Sequence, residues 1–291
     1  MSWELFSEMF VSVIGGLGIF LLGMKNMSEG MQAVAGERLR RMINAITNNR
    51  LLACTVGVAV TCLIQSSSIT TVMVVGMVNA GLMTLAQAIG VILGANIGTT
   101  ITGWILVLEI GKYGLPIIGV SAFFYLFSKK DKLRFAASVF LGLGMVFFGL
   151  QLMKHGFSPL RDLPEFKEWF SAFEPHNYIG VLKVCLVGAL LTAIVQSSSA
   201  TLGITIGLAL TGIISFRTGA ALVLGENIGT TITAYLASLG TTRNAKRAAY
   251  AHIFVNLIGV FIITLIFDPY MSLIEWLFGG DMLVTAADKN G

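Results

Sequence analysis

An all-α, polytopic membrane protein is the fold class this sequence predicts, made of two inverted-topology repeats that each carry a re-entrant helical hairpin and a broken transmembrane helix. Three observations lead there. Of 291 residues, 55% are hydrophobic and only 12% charged, with a mean hydropathy of +0.83, whereas soluble domains carry about 25% charged residues. The apolar runs at 9–22, 115–127, 135–153 and 248–267 hold few or no charges and do not alternate, which fits helices and not barrel strands. Finally, the polar stretch QSSS occurs twice, each time inside an apolar segment.

The first apolar run follows MSWELFSE, acidic and without Lys or Arg, so it reads as a retained helix and not as a cleaved signal peptide. No soluble domain is expected. Cys54, Cys62 and Cys185 lie in apolar segments without metal-ligand spacing and read as small buried residues. A net charge of +4 raises nucleic acid as a partner, but the basic residues cluster in short loops, where membrane orientation accounts for them. The lipid bilayer is the expected environment, and nucleic acid is not a partner.

The duplication organises the rest of the chain. GLGIFLLGMKNMSEG (16–30) resembles GLGMVFFGLQLMKHG (142–156), QSSSITT (65–71) resembles QSSSATL (196–202), and GANIGTTIT (94–102) resembles GENIGTTIT (225–233). The separation from QSSS to GxNIGTT is identical in both halves, while the segment before QSSS differs in length. Ser, Thr and Gly also pack membrane helices together, but packing needs no pair of polar motifs held in register. The expected organisation is repeat 1 over 1–130, with its hairpin tip at 65–68 and helix break at 94–100. Repeat 2 covers 131–291, with its tip at 196–199 and break at 225–231.

Topology follows from charge. Arg38, Arg40, Arg41 and Arg50, then Lys129, Lys130, Lys132 and Arg134, then Arg243, Lys246 and Arg247 make eleven of the nineteen basic residues, and these should be cytoplasmic. The acidic stretch with Asp162, Glu165, Glu168 and Glu174 is the candidate external loop. The run 51–63 is about 13 residues, roughly 20 Å as helix, too short for a hydrocarbon core of about 30 Å. It must turn back at QSSS. With re-entrant hairpins in both halves every basic cluster falls inside, the repeats are inverted, and both termini of this multi-pass protein of the cytoplasmic membrane are external.

Short, polar-interrupted segments at matching places in inverted repeats point to a secondary transporter with its site at the bilayer midplane between the repeats. Non-helical backbone at that depth must be buried in protein or line a watery cavity. Helix N-termini with Ser66, Ser67, Ser68, Ser197, Ser198 and Ser199, beside Gln65 and Gln196, suit an oxyanion such as phosphate. Helix C-terminal carbonyls with the side-chain oxygens of Gln65, Asn96, Thr99, Thr100, Gln196, Asn227, Thr230 and Thr231 suit sodium.

No Lys or Arg lies in either motif pair, although Arg is the usual phosphate partner, so an anion there needs co-bound cations. Sodium as coupling ion is thus read from charge balance, with a proton as the alternative. No other cofactor is implied. Glu226, where the other half has Ala95, is a cation ligand or protonatable group, or else a satisfied structural carboxylate. Lys25 and Lys183 lie near helix ends and snorkel. His252 and Asn256, one turn apart, brace the broken helix or ligate directly.

QSSSITT with GANIGTTIT, then QSSSATL with GENIGTTITA and RNAKRAAYAHIFVN, resemble the sodium/phosphate cotransporter family, the type II sodium-dependent phosphate transporters and their bacterial relatives. The resemblance covers about 16–267. It implies electrochemical coupling of inorganic phosphate to sodium, with both QSSS stretches in the pathway and Asn96, Thr99, Asn227 and Thr230 nearby, and it leaves direction open. Alternatives are a carrier of another small anion such as a dicarboxylate, or a transport-dead phosphate sensor. An intramembrane serine hydrolase using His252 explains neither the duplication nor the absence of a GxSxG elbow, so the chain is not read as an enzyme. A homodimer through the small-residue face LGLGMVFFG (141–149) is a further option.

Overall fold

The computed structural model describes residues 3–44, 49–108, 111–161 and 173–278. Asp162, Glu165 and Glu168 of the expected external loop lie outside them. The described residues are helical, with no strand among them: α1 (Trp3–Asn44), α2 (Arg50–Ile64), α3 (Ser67–Asn79), α4 (Leu85–Val107), a 3₁₀ turn (Gly111–Tyr113), α5 (Gly114–Phe127), α6 (Asp131–Arg161), α7 (Tyr178–Val195), α8 (Ser198–Leu210), α9 (Phe216–Gly229), α10 (Thr231–Ala237), α11 (Arg243–Leu265) and α12 (Phe267–Phe278). Among the described residues, five stretches are long and apolar enough to cross a membrane: Ser7–Ala35, Leu85–Val107, Asp131–Pro159, Tyr178–Val195 and Arg243–Leu265.

Length does not sort crossings from hairpin arms as cleanly as the sequence suggested. The 14-residue α5, which covers the apolar run 115–127, is no longer than the 15-residue α2, expected to turn back. Conversely α7, an expected hairpin arm, has 18 residues and qualifies as a span.

The chain divides into two compact units, one of residues 18–149 and 230–255, the other of 1–17, 150–229 and 256–291. They interleave along the chain, whereas the repeats expected from the sequence are consecutive. The first unit contains the hairpin α2–α3, which packs on α4. Its core joins Ala53, Val74, Val75, Val78, Val91 and Ile92 to Ala234, Ala245 and Ala248. The second contains the hairpin α7–α8 packed on α9, with Val181, Val184, Cys185 and Ala221 closed over by Phe267 and Met271 of α12. There Arg217 pairs with Asp268 and lies over the Phe267 ring.

Both units share one packing device. A Cβ on Gly94 would stand 1.9 Å from the Cys54 carbonyl oxygen, and one on Gly57 2.2 Å from that of Val91. The equivalents behave alike: Gly225 to Cys185 O is 1.9 Å and Gly188 to Leu222 O is 2.3 Å. Backbone meets backbone along these seams, so no rotamer change could relieve an added methyl.

This corrects one expectation. The helix break at 94–100 is absent: α4 runs unbroken for 23 residues from Leu85 to Val107. Glycine in a membrane helix signals either a break or a close approach, and Gly94 and Gly98 serve close approach. In the second half the helix is interrupted only at Thr230, whose φ of −57° and ψ of −28° remain helical.

The small-residue face of α6 is likewise occupied within the chain. A Cβ on Gly142 would meet Met27 N at 2.4 Å and Gly23 O at 2.5 Å, and one on Gly144 would meet Gly114 O at 2.9 Å. That stripe is not free for a second copy.

Candidate functional site

Each QSSS stretch reverses the chain between two helices. Thr61 and Thr70 would lie about 13.5 Å apart along one continuous helix, yet their hydroxyls are 3.1 Å apart. Thr192 and Thr201 meet in the same way at 3.0 Å. The reversal rests on the glutamine. Gln65 has φ 57° and ψ 27°, Gln196 φ 56° and ψ 23°, and among the described residues these are the two non-glycine positions with positive φ. Glycine is the usual occupant of such a helix C-terminus, and a non-glycine residue there costs on the order of 1–3 kcal/mol. A side chain retained against that cost twice marks the tips as functional candidates.

The next residue starts the return helix. Ser66 and Ser197 are extended N-caps, and their hydroxyl oxygens accept from Ile69 N at 3.2 Å and Ala200 N at 3.3 Å. Their carbonyls accept from Thr70 and Thr201. Ser67 and Ser199 are buried and Ser68 and Ser198 half-buried. None of these four hydroxyls hydrogen-bonds to another described residue, and the first N–H groups of α3 and α8 have no acceptor within their own helices. Each tip therefore presents donors suited to an oxyanion.

Around this shared turn the two tips differ. Gln65 is 3% exposed. Its Nε2 donates to Cys62 O at 2.5 Å and its Oε1 accepts from Thr102 Oγ1 of α4 at 2.9 Å. The Ser28 hydroxyl of α1 donates to Ile64 O at 2.5 Å, so several carbonyls at the end of α2 are taken by protein donors. Gln196 is exposed, and its side chain makes no hydrogen bond among the described residues.

The GxNIGTT residues also diverge. Asn96 Oδ1 meets Nε2 of the buried His252 at 3.2 Å, on a helix that runs unbroken past this point. The equivalent Asn227 is exposed and donates to Val223 O of its own helix at 3.1 Å. Thr99 and Thr100 donate back to Ala95 O and Ile97 O, while Thr230 and Thr231 are each 6% exposed.

Glu226 is 4% exposed, and its Oε1 accepts from Thr205 Oγ1 at 2.7 Å. The equivalent positions in the first half are Ala95 and Val74, both buried apolar residues. The sequence reading missed Thr102, Thr205 and the two tip-bridging threonine pairs. For the bridging pairs a signal existed, since Thr61 and Thr192 stand four residues before each glutamine.

Comparison with known proteins adds to this geometry. Residues 19–155 and 164–286 match the model of the Na+/Pi-cotransporter family. "Uncharacterized protein YqeW" of Bacillus subtilis is 31% identical over 241 residues, covering 83% of this chain and 77% of that protein. "Putative inorganic phosphate export protein YjbB" of Escherichia coli K12 is 28% identical over 267 residues, 92% of this chain. The match spans about half, 48%, of that relative's length. "Sodium-dependent phosphate transport protein 2B" of Homo sapiens is 40% identical over 100 residues, 34% of this chain and 14% of the human one. No solved structure matches.

Proposed function

Because the chain belongs to the Na+/Pi-cotransporter family, we propose that it carries inorganic phosphate across the cytoplasmic membrane together with sodium, by alternating access of two inverted repeats whose re-entrant hairpins hold both ions. The observation that carries this reading is the tip itself: a strained left-handed glutamine followed by a serine N-cap, built twice.

Phosphate is assigned to Ser67, Ser68, Ser198 and Ser199 with the adjoining helix N–H groups, between the capping Ser66 and Ser197 and the flanking Gln65 and Gln196. Sodium is assigned to oxygens of Gln65, Asn96, Thr99, Thr100, Gln196, Asn227, Thr230 and Thr231, with Glu226 as the carboxylate. The division of labour has an electrostatic reason. With no Lys or Arg in the motifs, a phosphate of roughly −1.5 to −2 charge depends on co-bound cations. Those cations also offset the cost of about 2.3 kcal/mol per charge per 100 mV of moving it against a negative interior.

The test is uptake of radiolabelled phosphate into proteoliposomes of the purified chain under an inward sodium gradient, a matched potassium gradient and no gradient. Sodium-dependent accumulation supports the reading. Accumulation displaced by dicarboxylates would transfer the chain to another anion, and phosphate binding without flux would make it a sensor. Efflux from loaded vesicles decides direction, which the relatives' names leave divided between export and sodium-dependent transport.

A further inference from the structure

One feature outside the tips combines shape and charge. α5 and α6 touch closely at one level, where Gly114 faces Gly144 and Phe148. Toward their connecting turn they leave an apolar groove of about 490 Å³ between Pro116, Val120 and Phe124 on one side and Leu133, Ala136 and Phe140 on the other. No charged side chain lines it, and Val120 and Phe140 are largely exposed.

The turn Ser128–Lys129–Lys130 joins the two helices, close in the chain to Leu133 of the groove wall. Its shape is fixed locally: Lys130 N donates to Ser128 Oγ at 3.2 Å, and Lys130 O accepts from Leu133 N and Arg134 N at 3.0 Å each. Asp131, the acidic residue there, pairs with Arg134 at 3.1 Å, and Arg134 also lies over the Phe135 ring. Lys129, Lys130 and Lys132 are exposed and have no ion-pair partner among the described residues. The N-terminus of α6 adds partial positive charge at the same place.

We propose that this groove is a binding site for one anionic phospholipid, an acyl chain lying along Val120, Ala136 and Phe140 and the headgroup phosphate held by Lys129, Lys130 and Lys132. A second protein copy would bury the apolar walls but leave the three ammonium groups without counter-charge. A zwitterionic lipid would fill the groove but gain little at its mouth. Basic clusters beside membrane helices attract acidic lipids in this way, and here the apolar groove between the two helices adds a defined place for the chain.

The experiment reconstitutes the full chain in vesicles of equal parts phosphatidylglycerol and phosphatidylethanolamine, extracts it in mild detergent, and counts retained lipids by native mass spectrometry. One phosphatidylglycerol per chain should be retained in about tenfold preference over phosphatidylethanolamine. Lys129→Ser/Lys130→Ser/Lys132→Ser should abolish the preference, and the triple Arg replacement should keep it. Ala136→Trp, or Val120→Trp on the opposite wall should the first not elute monodisperse, should remove the retained lipid. Equal retention of the two lipids by the unaltered chain, preference surviving the triple Ser variant, or a lipid-free dimer that forms through the groove overturns the proposal. Phosphate transport is not the readout, so failure here is distinct from failure of the transport reading.

Discussion

The two hairpins carry the same QSSS word and the same left-handed glutamine, yet the first is fastened and the second is not. Gln65 is buried and held to Thr102, with Ser28 on the adjoining carbonyl, whereas Gln196 is exposed. Thr205 and Glu226 form a buried polar pair where the first half has Val74 and Ala95. The turn is thus a local property of four residues, while the surroundings of each turn are set by distant ones. The part the halves share fixes the shape of the turn, and the part in which they differ sets what surrounds it.

The largest effect should come from the part the halves share. Gly94→Ala and Gly225→Ala each drive a methyl into a backbone carbonyl, and overpacking that backbone alone can relieve should cost about 3 kcal/mol or more. Both variants should lose most folded protein in detergent by fluorescence-detected size exclusion. A well-folded Gly225→Ala beside a lost Gly94→Ala would show that the seams are not equivalent.

Next comes the buried carboxylate. Glu226→Gln keeps the shape and the acceptor for Thr205, so the fold should survive while the sodium concentration for half-maximal uptake rises about tenfold, about 1.4 kcal/mol. Transplanting the pair as Val74→Thr with Ala95→Glu should unfold the first unit, since it places a carboxylate in an alanine-valine core. An unchanged sodium dependence in Glu226→Gln would make that carboxylate structural.

The glutamines separate strain from function. Gln196→Gly relieves a left-handed side chain, so its melting temperature should hold or rise slightly, while phosphate uptake falls to background. Gln65→Gly should lose uptake as well, but with a lower melting temperature, because Thr102 is left without its acceptor at about 1–3 kcal/mol. Equal melting shifts would remove the distinction between fastened and unfastened tips. Smallest of all, Ser66→Ala and Ser197→Ala each remove one N-cap worth about 1 kcal/mol, and thermal denaturation should register them alike.

Much of this was legible in the sequence, for identifiable reasons. Composition reports the bilayer because a lipid-facing surface admits few charges, and Gln65 and Gln196 mark the reversals because polar residues inside apolar runs must serve something. The break at 94–100 was misread because Gly94 has two physical uses, and only the neighbouring Cys54 carbonyl decides between them. Thr102 escaped notice since a helical threonine ordinarily bonds back to its own helix, as Thr99 and Thr100 do. Nothing in its immediate sequence says that it reaches Gln65 instead.

The glycine seams also have a consequence for how such a chain can change over generations. A residue whose Cβ would overlap a main-chain oxygen at 1.9 Å has no tolerated neighbour in sequence space, since every other amino acid adds at least that carbon. The positions around the tips face no such barrier: Val74 in one half stands where the other has Thr205, and Ala95 stands where the other has Glu226. Side chains around each tip are therefore free to differ between the halves, while the seams keep the same backbone contacts beneath both.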